Sequence, residues 1–248
     1  MSQTSRDRVL LLTALLIIWQ TATSGGLPLD KELFPSPLKV ATLLLEDRLV
    51  FASSLLSSFQ LLFFGYSLAV ISAIPLGLLV GWQNRLRLAI EPVTNILGPI
   101  PPIVFIPYAI ALLPTFTAAS IFIIFVGAFW PLFINTVSGV QAVEKGLLDS
   151  ARALGVNRRT MMTRILLPGA MPHILTGGTV SLVLSFILLT AAEMIGATSG
   201  LGWYVKYFSD FADYPRVVAG IIVIGITVLI LTTFYHLLSR YLLRWKKV

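Results

Sequence analysis

Long apolar runs separated by short polar segments are the main pattern of this 248-residue chain. A helix needs about 20 predominantly apolar residues to cross the hydrocarbon core of a bilayer. Six segments meet this length, and they predict about six transmembrane helices over residues 6–24, 52–81, 88–113, 115–141, 170–195 and 216–241. We therefore expect an all-α membrane protein in which residues 1–248 form a single transmembrane domain.

The first of these segments is the weakest, because its strongly apolar run extends only from Val9 to Trp19. Arg6 and Arg8 precede that run, and basic residues before a short apolar stretch are also typical of a cleaved signal peptide. The residues alone are compatible with a retained span and with a signal peptide.

Composition and charge support the membrane prediction and give it an orientation. Hydrophobic residues make up 56% of the chain and charged residues 12%, whereas soluble domains carry roughly 25% charged residues. With the N-terminus inside, thirteen of the eighteen Lys and Arg fall on the cytoplasmic side of the predicted spans. This positive-inside bias predicts that both termini are cytoplasmic. The net charge of +7 is thereby explained by topology, so nucleic acid is not expected as a partner.

A polar, basic segment between the fourth and fifth predicted spans is a predicted cytoplasmic loop over about residues 142–168. Apolar residues recur at helical spacing over Val143–Leu154, which predicts a short amphipathic helix. Gly155 would end this helix with a positive φ, and Asn157 would cap a second short helix. A break is expected at Pro168, before the next span.

Two features within the spans bear on a solute pathway. Pro102 and Pro107 belong to a proline-rich third span, and proline bends or breaks a helix. This predicts either a kinked, well-packed helix or a bend that lines a pathway. Gly77 and Gly81 form a G-x-x-x-G pattern, which favours close helix packing.

Polar residues in the fourth and fifth spans are further candidates. In the fifth span, Thr179, Phe186, Thr190 and Glu193 share one helical face. An acid within a span is costly and tends to mark a pathway, but Glu193 could equally form a local cap or pair near the interface. Asn135, in the fourth span, is more often a polar contact between helices than a ligand for a solute.

The chain lacks the residues that its own ATP chemistry would need. It has no G-x-x-x-x-G-K-[ST] segment, because no lysine follows a glycine. We also find no serine-nucleophile motif and no metal-ligand cluster in the sequence, so a membrane enzyme is disfavoured. A self-contained secondary transporter or channel remains as an alternative, although it would need coupling groups within this chain.

The loop over residues 142–168 resembles the "EAA" loop of bacterial ABC-importer permeases, E-A-A-x3-G-x9-I-x-L-P. Gly155, Ile165, Leu167 and Pro168 keep the spacing, whereas Asp149 replaces Glu and Ser150 replaces Ala. Residues 121–140, 166–172, 191–193 and 199–202 are also similar to permeases of the nitrate/sulfonate/taurine/bicarbonate group.

This resemblance implies a type I ABC-importer permease in the bacterial inner membrane, with its first span retained. It implies no cofactor in this chain, since ATP and Mg would bind to a separate ATPase subunit. The implied partners are two ATPase copies, a second copy of this permease, an external solute-binding protein and the lipid bilayer. The solute would be a small anion such as a sulfonate, taurine, nitrate or bicarbonate. The residues implied to couple the permease to the ATPase are Asp149, Ser150, Ala151, Arg152, Ala153, Leu154 and Gly155.

Overall fold

The computed structural model describes residues 3–23, 30 and 32–245, and all the regular elements in this part of the chain are helical. The helices are α1 (Gln3–Thr21), α2 (Pro37–Glu46), α3 (Arg48–Trp82), α4 (Asn84–Leu97), α5 (Ile106–Leu112), α6 (Phe116–Gln141), α7 (Lys145–Ala153), α8 (Arg158–Thr160), α9 (Leu167–Gly196), α10 (Leu201–Asp210) and α11 (Tyr214–Leu242). A 3₁₀ turn (Pro102–Phe105) precedes α5, and a π turn (Met161–Leu166) joins α8 to α9. Among the residues of the charge argument, Lys31, Lys246 and Lys247 lie outside the described residues, as do the side chains of Arg6 and Arg8.

Four helical segments of the described chain are long and apolar enough to cross a membrane, or five if a bent pair counts as one span. The four are Arg48–Trp82, Phe116–Gln141, Arg158–Gly196 and Tyr214–Leu242, and the bent pair is α4 with Pro102–Leu112. The first predicted span is a helix, α1, but it is not among these segments. Of the six predicted spans, four or five are therefore found among the described residues, and the span over residues 6–24 stays a prediction.

The described chain forms two compact units. The first contains residues 1–57 and 193–226, and the second contains residues 58–192 and 227–248. In the first unit, the indole N–H of Trp19 donates to the carbonyl of Pro35 at 3.1 Å, which ties α1 to the segment before α2. Ser36 caps α2 by accepting a hydrogen bond from the backbone N–H of Lys39.

Helix α3 packs against α6 in the second unit through glycines that leave no room for a side chain. A Cβ placed on Gly77 would lie 2.6 Å from Cβ of Thr136, and one on Gly81 would lie 2.8 Å from Cβ of Val140. Gly65 approaches Ile124 in the same way. The sequence separation between the glycine of α3 and the contacting residue of α6 is the same in all three pairs. The two helices therefore run parallel and in constant register.

Helix α6 also packs against α9, which runs in the opposite direction. Gly127, near the middle of α6, faces Leu188, whereas Gly139, near the end of α6, faces Ala170 and His173 near the start of α9. Because small residues let backbones approach closely, such contacts are the usual means of holding helices together in a membrane. The predicted close packing at Gly77 and Gly81 is confirmed, and it is part of a longer series.

Because α3 and α6 are parallel, the segment between them must run back along the length of α3. A chain that leaves the end of α3 must return along its whole length before α6 can begin beside the start of α3. Only the bent pair, α4 with the Pro102–Leu112 segment, lies between them, and its two parts meet at 78°. We conclude that the bent pair acts as one span, interrupted at residues 98–101.

The amount of buried surface differs greatly among the long helices. Within the most apolar window of each, 56% of the Arg158–Gly196 segment and 44% of α6 are buried, whereas only 11% of α11 is buried. Helices α6 and α9 therefore form the centre of the second unit. Helix α11 leaves most of its apolar surface to lipid or to another chain.

The glycine contacts lead to a first prediction. Gly77→Ala should lower the midpoint of thermal unfolding in detergent, because overpacking a tight contact costs about 1–3 kcal/mol. Gly225→Ala is the matched control, since Gly225 lies in α11 and a Cβ there would meet nothing within 4 Å. That substitution should leave the midpoint unchanged or raise it, because alanine favours helix over glycine. Equal effects at the two positions would contradict the assigned packing.

Candidate functional site

The loop between α6 and α9 begins with α7, a short helix anchored on one side only. Ala151 is 5% exposed and belongs to the apolar cluster at this end of the second unit. Leu148 and Val156 pack against the same cluster. The predicted amphipathic helix over Val143–Leu154 is confirmed, with observed bounds of Lys145–Ala153.

Gly155 ends this helix in the predicted conformation. Its φ is +71°, which is the left-handed region that glycine adopts without steric cost. The N–H of Gly155 donates to the carbonyl of Arg152 at 2.9 Å, and the N–H of Val156 donates to that of Ala151 at 3.1 Å. This pair of bonds is a Schellman motif, which satisfies carbonyls that the helix end would otherwise leave without donors. The chain therefore turns sharply at a defined residue.

The opposite side of α7 is exposed and partly apolar. Leu154 is 82% exposed and Leu147 is 50% exposed, and their spacing of seven places them on one face of the helix. Ser150 and Ala153 are exposed beside them. Asp149 accepts a hydrogen bond from the guanidinium of Arg152 at 3.0 Å, in an ion pair open to solvent. Of the seven residues that the resemblance assigns to ATPase coupling, six are exposed, and Ala151 is the one that faces the core.

Asn157 begins the second half of the loop. Its side-chain oxygen accepts a hydrogen bond from the N–H of Thr160 at 2.8 Å, so the predicted cap is confirmed. The next residue, Arg158, lies with its guanidinium carbon 5.3 Å from the ring centre of Trp82, at the end of α3. Such a contact is worth about 0.5–1 kcal/mol when exposed, and it holds the loop against the second unit.

The predicted break at Pro168 does not occur. The helix that starts at Arg158 continues through Pro168 and Pro172 to Gly196. Just before Pro168, the N–H of Leu167 donates to the carbonyl of Met162, five residues earlier, within the π turn. Local π adjustments of this kind allow membrane helices to accommodate proline. The loop therefore passes directly into the next long helix.

The proline-rich segment is bent, as predicted. Pro102 begins the 3₁₀ turn and Pro107 lies in the first turn of α5, where a missing N–H does little harm. Pro107 is exposed and Pro102 is half-buried. The assignment of both prolines to a solute pathway stays a prediction.

Glu193 makes a local contact, which was one of its two predicted roles. Its side chain is 1% exposed, and Oε2 accepts a hydrogen bond of 2.8 Å from the N–H of Gly202, in the first turn of α10. A carboxylate is favourable there because the N-terminus of a helix carries partial positive charge. Gly200 has φ +121° and lies directly against this carboxylate. In this structure Glu193 therefore stabilises the start of α10.

The other predicted pathway residues satisfy their polar groups within their own helices. Thr190 donates to the carbonyl of Phe186 at 2.9 Å, and Thr179 donates to that of Leu175 at 3.2 Å. Phe186 itself is buried. Asn135 donates to the carbonyl of Pro131 at 2.8 Å, so the predicted polar contact between helices is instead an intrahelical bond. The pathway role of these side chains stays a prediction.

Comparison with known proteins decides the family. A family model described as "Binding-protein-dependent transport system inner membrane component" matches residues 73–248. The chain belongs to this family. It is thus the membrane-spanning permease of a binding-protein-dependent ABC importer, a non-catalytic subunit and a multi-pass protein of the bacterial inner membrane.

Several curated relatives align with almost the whole permease. A probable ABC transporter permease protein of Brucella abortus is 32% identical over 92% of this chain and 91% of its own length. The putative aliphatic sulfonates transport permease protein SsuC of Bacillus subtilis is 30% identical over 96% of this chain and 87% of its own. The taurine transport system permease protein TauC of Escherichia coli is 30% identical over 94% of this chain and 87% of its own length.

A solved structure confirms the fold of the permease. A chain in the inward-facing MetNI methionine ABC transporter matches with a TM-score of 0.68 at 19% identity, over 79% of this chain and 97% of that one. The fold is that of a type I ABC-importer permease. The family also decides against the alternative of a self-contained secondary transporter or channel.

The first unit of the permease contains a charged cluster that was not predicted from the sequence. Asp47 accepts hydrogen bonds from Arg216 at 2.9 Å and from the hydroxyl of Tyr204 at 2.7 Å, and Arg216 also binds Asp213 at 2.7 Å. Burial and the bond to Asp47 raise the pKa of Tyr204, so its hydroxyl stays a donor. The cluster joins the start of α3 to α10 and α11. No sequence signal identified it, because Asp47 and Arg216 are far apart in the chain.

A second missed cluster lies in the second unit, at Gly178 of α9. The hydroxyl of Tyr66 donates to the carbonyl of Gly178 at 3.0 Å. The hydroxyl of Tyr235 lies so close to Gly178 that a Cβ there would overlap it. These contacts join α3 and α11 to α9, and they supply the polar contact between helices that was expected at Asn135.

The cap at α10 gives the second prediction. Glu193→Ala leaves the N–H of Gly202 without this acceptor, so it should destabilise the permease by about 1–3 kcal/mol. Glu193→Gln keeps a side-chain oxygen and should lose less. The measurement is the thermal midpoint, together with protease cleavage near residues 197–202. If both variants behave like the wild type, Glu193 does not hold α10 in place.

Proposed function

We propose that this permease forms a homodimer that two ATPase subunits drive through the exposed face of α7. ATP hydrolysis would take place in those separate subunits, and ATP and Mg would bind there and not to this chain. An external binding protein would deliver the solute. In this proposal residues 1–248 act as one transmembrane domain, and α1 crosses the membrane in addition to the five helical spans described above. Both termini and the loop over residues 142–168 then lie in the cytoplasm.

The main observation in support of this proposal is the apolar edge of α7. Leu147 and Leu154 remain exposed although Leu148 and Ala151, on the neighbouring face, are covered. Burying one leucine contributes about 1.5–3 kcal/mol, so a partner that covers this edge gains substantially. The charged pair Asp149–Arg152 lies at the rim, where it would favour one orientation of the partner.

The geometry of the helix end supports α7 as a transmitter of motion. The Schellman motif at Gly155 fixes the exit of the chain, and the Asn157 cap starts the next helix two residues later. Force applied to α7 would therefore reach α9 through a short and defined connection. Packed, rigid elements of this kind can carry energetic coupling between distant sites.

The proposed solute is a small organic or inorganic anion, with a sulfonate as the first choice. Two of the relatives named above are assigned to aliphatic sulfonates and to taurine. Taurine is itself a sulfonate, so these two names share one anionic group. Nitrate and bicarbonate are the other members of the proposed range.

The function is tested by reconstitution in liposomes with the ATPase and the binding protein encoded beside this permease. ATP hydrolysis is recorded with the binding protein loaded with taurine, ethanesulfonate, nitrate or bicarbonate. We expect stimulation by a sulfonate, accompanied by its uptake. Failure to associate with any ATPase, together with solute flux through the permease alone, would refute the proposal.

The coupling role of α7 is tested at Gly155. A Cβ there would meet nothing within 4 Å, so any substitution acts through the backbone alone. Gly155→Val should lower solute-stimulated ATP hydrolysis, because holding L-residues in the left-handed region costs about 1–2 kcal/mol and β-branched residues resist it most. Gly155→Asn is the control, since asparagine tolerates positive φ. Equal activity of the two variants would remove Gly155 from the coupling element.

A further inference from the structure

A pocket with both polar and apolar lining residues lies at the α7 end of the second unit, between α4 and the last turns of α3 and α6. Its volume is about 160 Å³. Arg87, Glu91, Ser138 and Gln141 supply polar groups to its wall, and Val80 and Phe133 are among its apolar residues. Since α3 and α6 both end here, the pocket and the α7 surface lie at the same end of the unit.

The two charges of this pocket are only loosely paired. The guanidinium of Arg87 lies 3.9 Å from the carboxylate of Glu91, and their side chains are 32% and 52% exposed. An exposed pair with this i,i+4 spacing is worth about 0.3–0.5 kcal/mol, so separating the two groups costs little. A ligand that binds both charges would more than replace that energy.

Both groups also have spare hydrogen-bonding capacity. A guanidinium has five N–H donors, and Arg87 uses one of them on the side-chain oxygen of Asn84 at 2.6 Å. An ionised carboxylate accepts about four hydrogen bonds. Arg87 thus offers a fork of donors that suits a sulfonate or carboxylate, and Glu91 offers an acceptor one helical turn away.

The opposite signs of these charges select a class of ligand. A simple anion such as nitrate would be attracted by Arg87 and repelled by Glu91. A small zwitterion with an anionic group at one end and an ammonium at the other would satisfy both charges, with its carbon chain against Val80 and Phe133. Charge arrangements of this kind discriminate between ligands through repulsion as well as attraction.

We propose that this pocket is a solute-contact site of the permease itself, and that it prefers a small aminosulfonate such as taurine to a plain anion. This inference rests on the proposed function, because it names the solute class within the proposed range. It places part of the selectivity in the permease, at the end where the solute would leave. The external binding protein would then not be the sole element that recognises the solute.

The test uses the detergent-purified permease–ATPase complex without the binding protein. Binding of taurine, ethanesulfonate and nitrate is measured by ligand-observed NMR titration. Ethanesulfonate carries the same anionic group as taurine but lacks the ammonium. We expect the complex to bind taurine about threefold to fivefold more tightly than ethanesulfonate, as an exposed charge pair allows.

Three variants assign that preference to the pocket. Glu91→Gln should bring the ratio of the two affinities close to one, and Arg87→Gln should weaken both ligands. Arg85→Gln is the control, because Arg85 is an exposed residue of the same helix that does not line the pocket. It should leave both affinities unchanged.

Separate outcomes overturn the inference and the proposed function. Equal affinity for taurine and ethanesulfonate in the wild type, or a preference that survives Glu91→Gln, would refute the pocket assignment. Absence of binding by all three probes would refute it as well. In each of these cases an importer that still couples ATP hydrolysis to uptake would leave the proposed function intact. A permease that assembles with no ATPase would refute the proposed function instead.

Discussion

The close approach of α3 to α6 is the constraint on which the rest of this permease depends. Between helices in a lipid bilayer there is no hydrophobic driving force, so association relies on close packing and on polar contacts. Gly65, Gly77 and Gly81 provide that packing, and they set one register for two parallel helices. The register brings the ends of α3 and α6 together at the same level, beside the start of α9.

The proposed coupling helix α7 and the loop that follows it lie at this end of α3 and α6. Trp82 contacts Arg158 there, and Ala151 is buried in the cluster that includes residues of α3, α6 and α9. The α7 helix is consequently held by the same packing that holds the long helices. A change of register between α3 and α6 would displace the apolar cluster against which α7 packs. This would happen although no residue of α7 takes part in the glycine contacts.

The features predicted correctly from the sequence are those encoded by one or two neighbouring residues. Positive φ at Gly155 and the cap at Asn157 follow from local backbone chemistry, and the bend follows from proline. The continuation of the helix through Pro168 was not predictable in this way, because a π turn in the preceding residues offsets the defect. Local rules identify where a helix is weakened, and the neighbouring backbone decides whether it breaks.

The features that the sequence did not reveal depend on residues far apart in the chain. Asp47 and Arg216 belong to different helices, and only the folded chain brings them together. Glu193 was assigned two possible roles, and the choice between them depends on where α10 begins. Glu91 lies inside the predicted third span but was passed over, because its importance comes from the pocket formed with α6.

The exposed leucines of α7 also have a consequence for the life of the protein in the cell. A permease that has been inserted but not yet joined by a partner displays Leu154 and Leu147 to the aqueous phase, and uncovered apolar patches favour aggregation. Excess copies would be recognised as orphan subunits and removed by proteases. With the coupling role proposed for α7, synthesis of the permease would be matched in amount and timing to that of the ATPase chain that covers α7, which would favour production of both from neighbouring genes.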